Sequence, residues 1–311
     1  MKLLDATGVL LVAHGTIDQL DQMPTFLTEI RQGRPPTESM VQEMTRRYEV
    51  IGGSPLLRTT RAQASALAAK LDLPVLYGMR FGSSKLSAAL LGAASLKLRR
   101  LVILPMAPFS VRLYANDTIR THSNLKLEGH ALDFELTSVR PWGTHEALIR
   151  AQRDLVLANV GEIVPEDLCI VLTAHSLPMR AINAGDDYSQ QIETFVRAFE
   201  VAIERKTVLA YQSQGYDSND WLGPKLSDVL ADLAGRGVTK VAILPIGFLC
   251  DHVETLYDLD HEARAQADSL GLKMIRVPAL NDSPGLIDAM AQVVKESLLP
   301  AQITPEALSS A

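Results

Sequence analysis

Val241-Ala242-Ile243-Leu244-Pro245-Ile246-Gly247-Phe248-Leu249 is followed, after Cys250, by Asp251-His252-Val253-Glu254-Thr255-Leu256-Tyr257-Asp258-Leu259-Asp260-His261-Glu262. The first run is short, apolar and β-rich, and reads as a buried parallel strand. If the second is a helix, Glu254, Asp258 and Glu262 recur every four residues along one face. Like charges at that spacing repel, so the face costs helix stability unless a cation or a functional gradient compensates. A helix that starts at the carboxyl end of a parallel strand sits where open α/β sheets place their ligands. A row of carboxylates leading away from that point suits a hydrated divalent metal, which prefers oxygen ligands while keeping its waters. A solvated acidic face is the alternative that spacing leaves open.

The same alternation runs outward in both directions. Short apolar runs at 8–13, 75–78, 101–105, 135–139, 169–174, 208–212, 241–245 and 274–277 read as strands. Helical patterns separate them at 37–49, 57–71, 85–96, 143–160, 189–203, 222–235, 253–270 and 285–299. That order builds parallel sheets from βαβ units. Leu11-Val12-Ala13-His14-Gly15 resembles Leu172-Thr173-Ala174-His175-Ser176, and Leu101-Val102-Ile103-Leu104-Pro105 resembles Val241-Ala242-Ile243-Leu244-Pro245. The echo predicts an α/β chain of two similar doubly wound, Rossmann-like parallel-sheet halves with a cleft between them. The expected division is 1–143, 144–284, a C-terminal helix at 285–300 that packs back on the first half, and a polar tail at 301–311. His14 and His175 then fall at equivalent strand ends facing the cleft.

Composition narrows the class. The chain has 311 residues, 47% hydrophobic and 21% charged, which is ordinary for a globular protein of about two domains. A net charge of −6 argues against a nucleic-acid footprint. Cys169 and Cys250 are the only cysteines, too few for a disulfide framework or a thiolate cluster, and fit a reducing cytosol. No apolar run approaches the ~18 residues of a membrane span. An early acid interrupts Met1-Lys2-Leu3-Leu4-Asp5, so no signal peptide is expected, and the location expected is cytoplasmic.

His175, directly after a strongly apolar run, can bind a metal or take a proton near neutral pH. A core histidine bonded to backbone is the competing reading. Arg31 and Arg34 lie on a Gly/Pro-rich loop, and arginine forks capture carboxylates. Arg47, Tyr48 and the loop Ile51-Gly52-Gly53-Ser54-Pro55-Leu56 follow, with Ser54 able to hydrogen-bond an acid group. Trp221 is either a packing anchor or a neighbour for a planar aromatic ligand. No dinucleotide or Walker-type phosphate loop occurs, which disfavours hydride and phosphoryl transfer.

Taken in order, Ala174-His175-Ser176-Leu177-Pro178, Gln212-Ser213, Trp221-Leu222-Gly223-Pro224 and Asp251-His252-Val253-Glu254-Thr255-Leu256-Tyr257-Asp258 resemble the signatures of ferrochelatases. Ile30-Arg31, Gly33-Arg34, Arg47-Tyr48-Glu49 and the Gly52-Gly53 loop look most like the compact soluble type found in Bacillus. The resemblance implies a chelatase-like fold and insertion of Fe²⁺ into a porphyrin, protoporphyrin IX or coproporphyrin III, in haem synthesis: a lyase. It implies His175 and Glu254 as the catalytic, metal-contacting pair, with Asp258 and Glu262 carrying metal hydrate or protons. It maps His14, Arg31, Arg47, Tyr48, Ser54, Tyr114 and Trp221 to substrate binding, Tyr114 on a loop at 108–114. No prosthetic group and no iron–sulphur cluster are expected; iron and porphyrin are the substrates, and the chain is a monomer or weak dimer. Two positions depart from the pattern: His14 stands where tyrosine is typical, and Gln32 where a second arginine is usual. A sirohydrochlorin chelatase using cobalt or iron and a non-catalytic haem carrier are the alternatives.

Overall fold

The computed structural model describes residues 6–215 and 220–299; the tail expected at 301–311 lies outside them. Eight parallel strands form two sheets: β1 (Thr7–Thr16), β2 (Val75–Gly82), β3 (Arg100–Pro105) and β4 (Glu135–Ser138), then β5 (Leu168–His175), β6 (Thr207–Gln212), β7 (Lys240–Pro245) and β8 (Lys273–Arg276). The sheets have orders β2-β1-β3-β4 and β6-β5-β7-β8, the same topology twice. Register is set by aliphatic strands buried on both faces. Val9 pairs with Val75 and Val102, and Leu172 with Leu209 and Leu244.

Strand alternation sorts each sheet's side chains into two cores. Val9, Leu11 and Ala13 enter one cluster, whereas Leu10 and Val12 enter another across the sheet. Ile170, Leu172 and Ala174 likewise separate from Val171. Such strands need helices on both faces, which is why the apolar runs are continuous rather than alternating.

The first sheet is joined by α1 (Met23–Ile30), α2 (Glu38–Val50), α3 (Leu56–Leu71), α4 (Leu86–Ser95) and α5 (Val111–Leu127). The second carries α6 (Glu146–Val160), α7 (Met179–Asn183), α8 (Tyr188–Ile203), α9 (Leu226–Gly235), α10 (Val253–Leu256), α11 (Arg264–Ser269) and α12 (Pro284–Leu298). The last helix opens on a Ser283 side-chain cap and Pro284. Its stripe of Leu286, Met290, Val293 and Val294 enters the cluster of Val9, Leu11 and Leu67 in the first sheet's layer.

Several elements differ from the sequence reading, which gave no helix at Met23–Ile30 or Met179–Asn183. The single helix expected over 253–270 is α10, a π-helix at Asp258–Ala263, and α11. The segment at 108–114, read as a loop, runs into α5, and Tyr114 sits in that helix's first turn. The helix expected from 222 starts only at Leu226, because Gly223-Pro224 breaks the chain before it.

Candidate active site

Each sheet ends with a histidine at the carboxyl end of its central strand. At the first, Gly15 adopts φ +121°, and a Cβ there would meet the Phe81 carbonyl at 2.1 Å. Only glycine lets β1 pass this close to β2 just beyond His14. Ala13 pairs with Met79 and Gly15 with Phe81, so the β2 residue beside His14 is Arg80. The ring of His14 is accessible, and its Nδ1 shares a 3.3 Å hydrogen bond with the Tyr114 hydroxyl. Phe81 meets the imidazole edge-on at 5.2 Å. Arg80 stacks over Tyr114 and Phe81 and pairs with Asp117. Crowding by protein holds the His14 pKa down to about 4, helped by Arg80, His252 and His175 and opposed by Glu254. The ring is therefore neutral across the physiological range.

At the second sheet His175 pairs in register with Gln212. Its Nδ1 lies 2.5 Å from the Ser176 carbonyl oxygen, which can only accept. Nδ1 must carry the proton, leaving Nε2 to face Glu254 Oε2 at 3.7 Å. The Tyr188 hydroxyl donates to the His175 carbonyl at 3.0 Å and pins the backbone. Burial alone would lower the His175 pKa, but Glu254 outweighs it and the net direction is up. Burial would raise the Glu254 pKa, yet His175 and His252 drive it well below the usual carboxylate range. His252 Nε2 stands 3.6 Å from the same oxygen, and Phe248 packs on His252 at 4.7 Å.

Glu254 is aimed by the network beneath it. Asp251 is 8% exposed and accepts from Thr255 at 3.0 Å, from Asn281 at 2.8 Å and from Arg276. These bonds offset the cost of a buried carboxylate and fix the first turn of α10. Asp251 thus holds the site from below.

Beyond Glu254 the acid face continues across the π-helix. Four α-helical residues overshoot a full turn by roughly 40°. The wider π turn rotates each residue less, so Glu262 swings back towards the line of Glu254 and Asp258. The compensating cation is Arg47: its guanidinium lies 3.0 Å from Asp258 and 2.9 Å from Glu262. It also bonds Glu43 at 2.8 Å and lies over the Tyr257 ring at 4.5 Å. Asp258 accepts from Ser213 Oγ, yet burial, with Glu254 and Glu262, lifts its pKa to about 6.

The structure thus brings together His175, Glu254 and, within electrostatic reach, His14. Tyr114 backs His14 as a buried residue. Tyr48 is 3% exposed, bonds Thr16 at 3.1 Å and packs with Val253 beneath the site. Arg47 faces the acid ladder. Arg31 lies apart at the end of α1, where its Nε donates to the Arg34 carbonyl at 3.3 Å. Among the described residues neither Arg31 nor Arg34 has a carboxylate partner. Ser54 accepts from the Leu56 amide at 3.4 Å at the start of α3. Trp221 bridges to Pro178, and a Cβ on Gly215 would strike its ring at 2.5 Å. Sequence reasoning left Arg80, Gln212 and His252 without roles. The signal for the first two was present: each stands in the strand paired with a site histidine. Among the described residues no three His, Cys, Asp or Glu side chains converge as a metal cage.

Two similar doubly wound lobes, each with a histidine at its central strand end, define a chelatase-type α/β protein. The solved structures it resembles include SirB from Bacillus subtilis with Fe³⁺, at TM-score 0.59, 11% identity and 98% coverage of both chains. CbiX, the terminal enzyme for biosynthesis of siroheme in denitrifying bacteria, matches at TM-score 0.53 and 13% identity over 93% of this chain and 98% of that one. At such identity these likenesses establish the fold alone. The ferrochelatase family model matches residues 6–298, and the chain belongs to that family. A ferrochelatase of Deinococcus radiodurans is 34% identical over 93% of this chain and 95% of its own length. A coproporphyrin III ferrochelatase of Halalkalibacterium halodurans is 32% identical over 94% and 97%. The family's reaction, insertion of iron into a porphyrin in haem biosynthesis, makes porphyrin and iron the substrates here.

Proposed function

We propose that this chain, a lyase, inserts Fe²⁺ into protoporphyrin IX or coproporphyrin III with His175 and Glu254 over the ring centre and His14 on the opposite side. The observation that carries the reading is the pairing of His175 with Glu254. The Nδ1–H of His175 is committed to the Ser176 carbonyl, so Nε2, 3.7 Å from a Glu254 carboxylate oxygen, is the ring nitrogen left to gain and lose a proton.

Insertion removes two pyrrole protons as Fe²⁺ enters, giving the iron porphyrin and two H⁺. His175 Nε2 accepts a proton, and Glu254 stabilises the imidazolium. Asp258, with a pKa of about 6, is matched to pass protons near neutrality towards Glu262 and solvent. Ferrous iron takes the remaining ligands from water and from the macrocycle's nitrogens. Arg31 and Arg34, without carboxylate partners among the described residues, are available to propionates. His14, neutral and open to the cleft, is placed to ligate iron in the product. The proposal includes no prosthetic group and no iron–sulphur cluster, a cytoplasmic location, and a monomer or weak dimer. Among the described residues no helix is long and apolar enough to cross a membrane.

A carrier without chemistry would leave the proton-accepting pair and the acid ladder without a role. The test is anaerobic insertion followed by the loss of metal-free porphyrin bands, with protoporphyrin IX, coproporphyrin III and sirohydrochlorin side by side. Conversion of either porphyrin with no conversion of sirohydrochlorin is expected. Metal-free porphyrins left intact with Fe²⁺ present would overturn the proposal.

A further inference from the structure

Gln63, on α3 of the first lobe, touches none of the site residues, yet its amide lies where the two lobes meet. The residue is fully buried. Its Nε2 donates to the Asn281 carbonyl at 2.6 Å and lies 3.0 Å from Cys250 Sγ, both across the junction in the second lobe. Its Oε1 meets no partner among the described residues, although it is buried. An orphaned buried acceptor is costly, so the amide is oriented by what its donor holds. Ala64 and Leu67 of α3 share one apolar cluster with Leu249 and Leu280. Such contacts join the lobes without fixing direction, and the hydrogen bond supplies it.

Asn281 passes the grip on. It stands in the left-handed region at φ +50°, which asparagine tolerates better than most residues. Its amide donates to the Leu249 carbonyl at 2.8 Å, and its Oδ1 accepts from the Asp251 amide at 2.9 Å. Its Nδ2 donates to the Asp251 carboxylate at 2.8 Å. Asp251 in turn accepts from Thr255 at 3.0 Å in α10, the helix that carries Glu254. His175 is held instead within the second lobe, by Tyr188 and the Ser176 carbonyl.

We propose that Gln63 is a positioning residue for insertion: from the first lobe it holds Asn281, and through Asn281 and Asp251 it fixes where Glu254 stands relative to His175. The members of the pair thus take their positions from different lobes, and the strap sets the gap between them as the lobes meet around a macrocycle.

The inference rests on the function proposed above, so its test includes an arm without porphyrin or iron. Hydrogen exchange compares wild type with Gln63→Met, which keeps the length of the side chain and removes the donor and the orphaned acceptor together. The amides of Asp251, Leu256 and Tyr257 are expected to exchange about tenfold faster, while Val171 in β5, which opens only with the fold as a whole, changes less. In the insertion assay kcat is expected to fall about tenfold, since a reacting group misplaced by ~1 Å can lose ~100-fold in rate. The KM for porphyrin moves little. Gln63→Asn, which withdraws the same amide by one methylene, is expected to act alike. Asn281→Gly keeps the left-handed backbone and cuts the strap, so adding Gln63→Met to it should lower kcat no further. An unchanged kcat in both Gln63 variants overturns the proposal, as do equally faster exchange everywhere, a loss confined to porphyrin KM, or independent effects in the double variant. A chain that inserted no iron would still show or lack the local exchange, so the two readings fail separately.

Discussion

The two strand ends have the same topology and opposite chemistry. His14 and His175 end β1 and β5, each the second strand of its sheet order, each beside the end of an adjacent strand. The neighbour of His14 is Arg80, and that of His175 is Gln212. A guanidinium beside an imidazole disfavours its protonation; an amide leaves the field to Glu254, which favours it. Duplication thus supplied two like positions: burial, helped by Arg80, keeps one imidazole a neutral donor, while Glu254 outweighs burial at the other and makes it a base. The two sides of a macrocycle lying between them would meet different chemistry.

The largest break in this contrast is His175→Ala. Loss of a general base costs roughly 10²–10⁴-fold, so insertion should fall by at least ~100-fold while porphyrin still quenches or shifts on binding. Turnover near wild type would remove His175 from the mechanism. A smaller effect is expected from His14→Ala: about tenfold on turnover through altered product release. The iron-porphyrin complex of that variant should show a changed axial-ligand spectrum, and an unchanged spectrum would rule out ligation by His14.

The smallest effect sharpens the electrostatics. The unfolded His14 takes up a proton near pH 6.5 and the folded one only near 4, so its share of stability drains away as pH falls through that window. His175 runs in the other direction. Its raised folded pKa gives stability that is complete below about 6.5 and lost as pH rises through the folded value. Arg80→Leu should move only the first, raising the His14 pKa towards 6.5 in an NMR titration of the ring. Asp117 keeps Arg120 at 2.7 Å in that variant. An unmoved His14 titration would show that crowding, the larger cause, acts alone.

Both sheets were legible because parallel strands covered on both faces are continuous aliphatic runs, and eight such runs stood out. The helix at Val111–Leu127 was not. Its sequence mixes Asn116, Asp117, Thr118 and Ser123 with isolated apolar residues, and the face that packs is defined by the sheet it covers. The acid ladder was visible as a spacing, and so was its need for a cation. That the cation is Arg47 was invisible, because 211 residues separate it from Asp258. The structural role of Asp251 was equally invisible: it stands in the same motif as Glu254, yet its oxygens are spent on Arg276, Asn281 and Thr255.

By itself the sequence determined what period and local chemistry encode: the strands, their doubling, the histidines at strand ends and the carboxylates at every fourth residue. The tertiary structure decided protonation and pairing. Those depend on distances between groups far apart in the chain, and a field that falls with separation in space takes no account of separation along it.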